Sequence, residues 1–155
     1  MTAFGIVLFN PEIPPNTGNI MRLCANTAST LHIIKPMGFE INNKSLRRAG
    51  MDYLKNIKIS IYENTLEFLN KKLFKRYFIV SKYGHLDYTK IKYKKNDCFI
   101  FGSESTGLPE NIIQQFIDSK KIYIPMANGS RSLNLANTVS IVIYEALRQN
   151  KFQFL

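Results

Sequence analysis

Three short segments of this chain gather residue types better suited to holding a ligand than to filling a core. The first is Pro14-Pro15-Asn16-Thr17-Gly18-Asn19-Ile20-Met21-Arg22. Its prolines stiffen the approach, and Asn16 or Thr17 can cap a helix. Arg22 then falls one to two turns in, from where a guanidinium can reach toward an anion. The second is Phe99-Ile100-Phe101-Gly102-Ser103-Glu104-Ser105-Thr106-Gly107-Leu108-Pro109, an apolar strand running into a turn with one carboxylate. Gly102 and Gly107 allow close backbone approach, so peptide N–H and C=O groups there can read an adenine or a ribose. The third runs from Ile124 to Asn137. Pro125 ends a strand, a polar loop follows, and Ser130 or Ser132 caps a helix whose first turn carries Asn134. Each segment also has a plainer reading, as a capped connection between a strand and a helix. Neither a GxGxxG dinucleotide fingerprint nor a P-loop is present in any of them.

The elements that must position these segments follow from periodicity and punctuation. Ala3–Phe9, Tyr77–Ser81 and Cys98–Phe101 are apolar runs suited to buried strands. Leu31–Ile34, Ile57–Ile61 and Lys121–Ile124 complete a set of six. Helices are expected over Asn16–Ser29, Lys44–Ala49, from Asn64 to near Lys72, from Pro109 through Phe116, and over Leu133–Arg148. Asn64 and Glu67 have the spacing of a capping box. Strands alternating with helices argue for an α/β domain on a mostly parallel sheet, and in such sheets ligands sit beyond the carboxyl ends of strands. All three polar segments follow strand ends.

The 155 residues suit a single domain, 45% of them hydrophobic, with a formal net charge of +10. That field attracts polyanions, which puts nucleic acid first among partners. Cys24 and Cys98 lie far apart with no CxxC pair, as expected of reduced thiols in the cytoplasm. His32 and His85 lack ligand spacing, so no metal is expected. No apolar run is long enough to cross a bilayer, and the N-terminus reads as a first strand, not a leader.

In this order, NTGNIMRLCA, FGSESTGLP and IPMANGSRSLNLAN resemble the SPOUT superfamily of methyltransferases, in its tRNA ribose 2′-O-methylating branch. Pro11-Glu12-Ile13-Pro14 and Arg47-Arg48-Ala49-Gly50-Met51-Asp52-Tyr53 are similar to the small enzymes that act on cytidine or uridine 34. The resemblance covers essentially the whole chain. It implies a single SPOUT domain over residues 1–155 with a deep trefoil knot in the C-terminal half, a known exception to the rule against knotted connections. It implies S-adenosylmethionine as cofactor, S-adenosylhomocysteine as product and no metal. Contacts to the cofactor are implied for Val80, Gly102, Ile124, Ser132 and Leu133. Arg22, Asn16, Glu104 and Asn134 are implied as catalytic residues, with Ser132 at a polar position of the same site. A homodimer with the first and last helices at its interface is implied too.

Methyl transfer from a sulfonium to a ribose 2′-oxygen is an in-line displacement that needs alignment more than a metal. A guanidinium stays protonated, so Arg22 suits a fixed positive charge beside the oxygen better than a base. Glu104 is expected to orient Arg22 or a loop, and Asn16 and Asn134 to position. For the tRNA anticodon stem-loop, phosphate contacts are expected from Arg22, Lys44, Arg47, Arg48, Lys82 and Arg131. Lys90, Lys92, Lys94 and Lys95 alternate with Ile91 and Tyr93. They read as a solvated edge, with a phosphate stripe as the alternative. Competing classes are a methyltransferase for another tRNA or ribosomal RNA ribose, an RNA-binding protein without activity, and a nucleotide-dependent dehydrogenase. Lys35-Pro36 stands where the last would carry an acidic residue after its second strand.

Overall fold

The computed structural model describes residues 3–40, 57–153 and 155. Among them a seven-stranded sheet contains β1 (Gly5–Phe9), β2 (Thr30–Ile34), β3 (Ile59–Tyr62), β4 (Tyr77–Val80), β5 (Leu86–Asp87), β6 (Cys98–Phe101) and β7 (Lys120–Tyr123). Their order is β3-β2-β1-β6-β4-β7-β5 and each pairing is parallel. Among the described residues four α-helices flank it: α1 (Pro14–Asn26), α2 (Thr65–Asn70), α3 (Glu110–Ile113) and α4 (Leu135–Gln149). The sequence expectation of six strands misses β5, which has two residues and no periodicity to read. The segment Lys44–Ala49 and the motif Arg47–Tyr53 lie outside the described residues.

A parallel sheet covered on both faces needs apolar residues at every strand position, alternating between two cores. Ile6, Leu8, Leu31, Ile33, Phe78, Phe99, Phe101 and Ile122 pack into one core with α1 and α4. Val7, Phe9, Ile34, Ile79, Cys98 and Ile100 pack into the other, with Phe68 of α2 and Phe116 beyond α3. Ile91 and Tyr93 are buried in the first core while Lys90, Lys92, Lys94 and Lys95 are exposed, so this alternation separates a core side from a solvent side.

Helix starts differ from the sequence reading in informative ways. The residue before α1 is Ile13, and Pro14 and Pro15 occupy the first helical positions, where a missing N–H costs nothing. Asn16 and Thr17 are therefore buried inside the first turn and neither is its cap. At α4 the cap is Asn134, whose Oδ1 accepts from Asn137 N at 3.2 Å, and not Ser130 or Ser132. At α2 the expected cap holds: Asn64 Oδ1 accepts from Glu67 N at 2.9 Å. Glu67 reaches back one residue further than the standard box, to Glu63 N at 2.8 Å. Pro109 precedes α3 as its cap, and that helix is a single turn.

His32 is 4% exposed on β2, against the rings of Tyr62, Phe68 and Phe74. Thr30 Oγ1 donates to Phe4 O, so His32 Nε2–H donates to Thr30 Oγ1 at 3.0 Å and Nδ1 accepts from Tyr62 OH at 3.0 Å. This neutral tautomer is the buried form, and burial lowers the imidazole pKa from 6.5 to about 4. An unfolded chain takes up that proton first as pH falls. The stabilisation is therefore complete above about pH 6.5 and is lost as pH falls toward 4, by about 3 kcal/mol in all. Urea unfolding at pH 7.5 and at pH 4.5 is expected to show that loss in the wild type. A His32→Leu variant, less stable at pH 7.5, should lose less over the same interval. Parallel pH dependences for the two proteins would refute it.

Candidate functional site

The carboxyl ends of β4, β6 and β7 open into three connections that meet over one cavity. After β4, residues 81–85 fold back onto β7. Ser81 N donates to Ile122 O at 3.0 Å, Gly84 N to Ser81 O at 2.9 Å and His85 N to Lys121 O at 3.3 Å. A Cβ on Gly84 would overlap the carbonyl of Ile122, so only glycine lets this turn lie flat on the neighbouring strand. After β6 the chain closes a small loop. Ser103 N donates to Gly107 O at 3.2 Å and Gly107 N to Ser103 O at 3.0 Å. Inside it the hydroxyls of Ser103 and Thr106 stand 2.8 Å apart. Gly107 has φ +70°, the left-handed region that favours glycine. A Cβ on Gly102 would strike the backbone of Gly107 and Leu108.

Glu104 projects from that loop to the start of α1. Its Oε2 accepts from Glu12 N at 2.8 Å, and its Oε1 from Ile13 N and Asn16 Nδ2, both at 3.1 Å. In return the Glu12 carboxylate accepts from Ser105 N at 3.0 Å and Ser105 Oγ at 2.7 Å. Asn134 Nδ2 donates to Asn16 Oδ1 at 2.9 Å. The side chain of Asn134 is thus committed at both ends, its Oδ1 to Asn137 N and its Nδ2 to Asn16 Oδ1. The chain Glu104–Asn16–Asn134 joins the loop after β6, the start of α1 and the start of α4, residues up to 118 positions apart. Both bonds of this chain are part-buried, where a satisfied hydrogen bond fixes geometry because an unsatisfied one is costly.

The cavity so enclosed has a volume of about 490 Å³, within the range of small-molecule sites. Val80, Gly102, Ile124, Ser132 and Leu133 all line it, as do Asn16, Glu104, Asn134 and Lys82. Arg22 does not: it lies on α1, as its spacing suggested, but is exposed and outside the lining. Arg131 is exposed nearby, with its carbonyl accepting from Lys82 Nζ at 3.4 Å. Lys44, Arg47 and Arg48 lie outside the described residues. The sequence reading missed Ile13, Tyr83, Leu108, Met126 and Thr138 as lining residues. Ile13, Leu108 and Met126 had a signal, since each stands inside a quoted motif, whereas Tyr83 and Thr138 had none. Tyr83 is 81% exposed, with Lys82 Nζ 5.0 Å from its ring.

Cys24 and Cys98 are free and buried, and burial pushes the Cys24 thiol up to about 12, so neither offers a thiolate. Among the described residues no cluster of His, Cys, Asp and Glu could hold a metal, and no helix is long and apolar enough to cross a membrane.

The model of the SpoU rRNA Methylase family matches residues 3–144. A tRNA (cytidine(34)-2'-O)-methyltransferase of Methylovorus glucosotrophus is 44% identical over 149 residues, covering 96% of this chain and 97% of its own. A structure solved for the 2-OH methylation of C/U34 on tRNA superposes with a TM-score of 0.89 at 35% identity, over 97% of each chain. The SpoU methyltransferase AviRb of Streptomyces viridochromogenes, in complex with AdoMet, shares the fold. It has a TM-score of 0.88 at 20% identity, over 98% of this chain and 62% of its own.

Proposed function

Because the chain belongs to the SpoU rRNA methylase family, we propose that it methylates the ribose 2′-oxygen of nucleotide 34, a cytidine or uridine, in a tRNA anticodon loop. The donor is S-adenosylmethionine and the product S-adenosylhomocysteine. The observation that carries this reading is the Glu104–Asn16–Asn134 chain, which closes three loops around one cavity. The relative from Methylovorus and the C/U34 structure support the choice of nucleotide.

The cavity fits the cofactor. Val80, Leu108, Ile124 and Leu133 supply apolar walls, while Gly102 and the closed loop at 103–107 bring peptide groups to its edge. S-adenosylmethionine supplies a methyl already activated on a sulfonium. The residues of the chain therefore need only hold and orient. Val80, Gly102, Ile124, Ser132 and Leu133 hold the donor. Glu104 holds the start of α1, since both its oxygens are taken by donors there. Asn16 and Asn134 keep their amides in register across the mouth. Arg22, outside the cavity, meets the RNA ribose and phosphate as a fixed charge. Lys82 and Arg131 add phosphate contacts, and so do Lys44, Arg47 and Arg48.

The same reading makes the chain a homodimer through α1 and α4, which pack side by side and leave Tyr144 exposed on α4. It makes residues 1–155 one catalytic domain, its knot formed from about residue 77 to about 150, working in the cytoplasm where tRNA is matured. The test is transfer of labelled methyl from S-adenosylmethionine to total tRNA, followed by mapping of the modified nucleotide. Label on a base atom, or on a ribose outside the anticodon loop, would overturn the assignment, and label on ribosomal RNA would favour the alternative substrate. Arg22→Lys is expected to lose about tenfold in methyl transfer, with donor affinity unchanged. Full activity in that variant would remove the forked guanidinium from the mechanism.

A further inference from the structure

A second cleft, of about 240 Å³, opens at the carboxyl ends of β1 and β2, beside the start of α2. Three of its lining side chains carry a buried polar atom with no hydrogen-bond partner: Asn10 Oδ1, Thr65 Oγ1 and Gln115 Oε1. Among the described residues the only other such atom is Thr17 Oγ1. Buried polar atoms are almost always satisfied, so three in one cleft mark a place that something polar fills. Thr65 is 2% exposed, and all three atoms are closed to solvent, so a ligand reaches them as these side chains turn toward the cleft.

We propose that this cleft holds an unpaired nucleobase of the RNA, with Asn10, Thr65 and Gln115 reading its edge. The proposal rests on the RNA-methylating reading above and names a second contact for the same substrate. Gln115 Nε2 donates to Asn111 O at 3.3 Å, which fixes the amide so that Oε1 is an acceptor. With Asn10 Oδ1 that makes two acceptors, and Thr65 adds a hydroxyl that gives or takes a proton. Such a set calls for a ligand edge rich in N–H, as the amino edge of adenine or cytosine is. Phe9, Ile34 and Ile112 line the walls, and Leu66, 61% exposed, stands at the mouth. These are the apolar surfaces a splayed base needs for its faces. Lys35 also lines the cleft, but its ammonium is paired with Glu63 at 2.7 Å, so the cleft is built for a base and not for a phosphate.

Position favours RNA over a free metabolite. Both clefts lie along the carboxyl edge of one sheet, and one stretch of chain serves both. Leu108 lines the methyl-transfer cavity, while Ile112 and Gln115 line the second cleft. A strand with its ribose in the first can therefore place a neighbouring base in the second. The net charge of +10 draws an RNA backbone to the protein.

The test is a synthetic anticodon stem-loop, labelled for anisotropy, together with versions carrying one abasic nucleotide at each loop position except 34. Thr65→Val and Gln115→Leu remove unpartnered atoms on separate elements, so both are expected to melt at or above the wild-type temperature. Both should bind the intact stem-loop about tenfold more weakly, with donor affinity unchanged. At one loop position the abasic RNA should weaken wild type by a similar factor, and variant and abasic RNA together should be no weaker than either alone. Undiminished binding by both variants, or losses that multiply at every position, would mean that the cleft holds water only. If wild type neither binds the stem-loop nor labels tRNA, the methyl-transfer reading falls and this proposal falls with it. That failure shows in the unmodified protein and so is distinct from the first.

Discussion

Gly102→Ala is expected to weaken S-adenosylmethionine binding by about 100-fold and to lower the melting temperature measurably. The added Cβ meets the backbone of Gly107 and Leu108, not a side chain that can swing aside. Making room means opening the loop held by the Ser103–Gly107 pair, whose two bonds are 3.2 and 3.0 Å. Overpacking costs about 1–3 kcal/mol in general, and an obstacle of backbone puts this case at the upper end. About 3 kcal/mol corresponds to roughly 100-fold in affinity if the distorted loop must be restored for binding. Calorimetric titration of the donor and thermal unfolding read the two effects separately. Donor affinity within twofold of wild type would show that the loop after β6 is not part of the donor site.

The second large effect is expected at Glu104. Alanine there strips acceptors from Glu12 N, Ile13 N and Asn16 Nδ2 at once. Hydrogen bonds to a charged group are worth about 1.5–3 kcal/mol each, and here two are exposed and one part-buried, so each counts at or below the lower end. A total near 3 kcal/mol, or about a 100-fold loss of methyl transfer, is the scale to expect. Glu104→Gln separates two roles. A positioning carboxylate can be replaced in part by a carboxamide, which keeps one acceptor, so glutamine should retain about tenfold more activity than alanine, with an unchanged pH profile. A general base cannot, and then both variants would be equally inactive and the limb of the pH–rate profile governed by that base would vanish.

What periodicity encodes was legible before any coordinates. β6 has the bounds Cys98–Phe101 that its apolar run suggests, because a strand buried on both faces leaves no other reading of CFIF. The lining positions Gly102, Ile124 and Ser132 were legible through motif resemblance, not through spacing. The Asn64 cap of α2 was legible, but the caps of α1 and α4 were not: Pro14 and Pro15 outweigh Asn16 at the start of α1 because proline loses nothing there, and a buried Asn16 is worth more as a bridge to Glu104 and Asn134. Contacts spanning about ninety residues leave no trace in local sequence, so the partner of Glu104 had to be seen. Arg22 falls within α1 as its spacing suggested, and only the coordinates show that it is exposed outside the cavity lining. The orphaned atoms of Asn10, Thr65 and Gln115 had no sequence signal, since they belong to three separate elements.

The mutual grip of Glu12 and Glu104 makes the loop at 103–107 and the entry to α1 move as one piece. A donor molecule that presses on that loop leans on a lever whose far arm is the helix bearing Arg22. Occupancy at one end is then felt as altered affinity at the other, and by thermodynamic reciprocity an RNA docked along the helix must tighten or loosen the donor by the same factor. Such coupling is symmetric, so it ties the two affinities together without fixing which substrate arrives first.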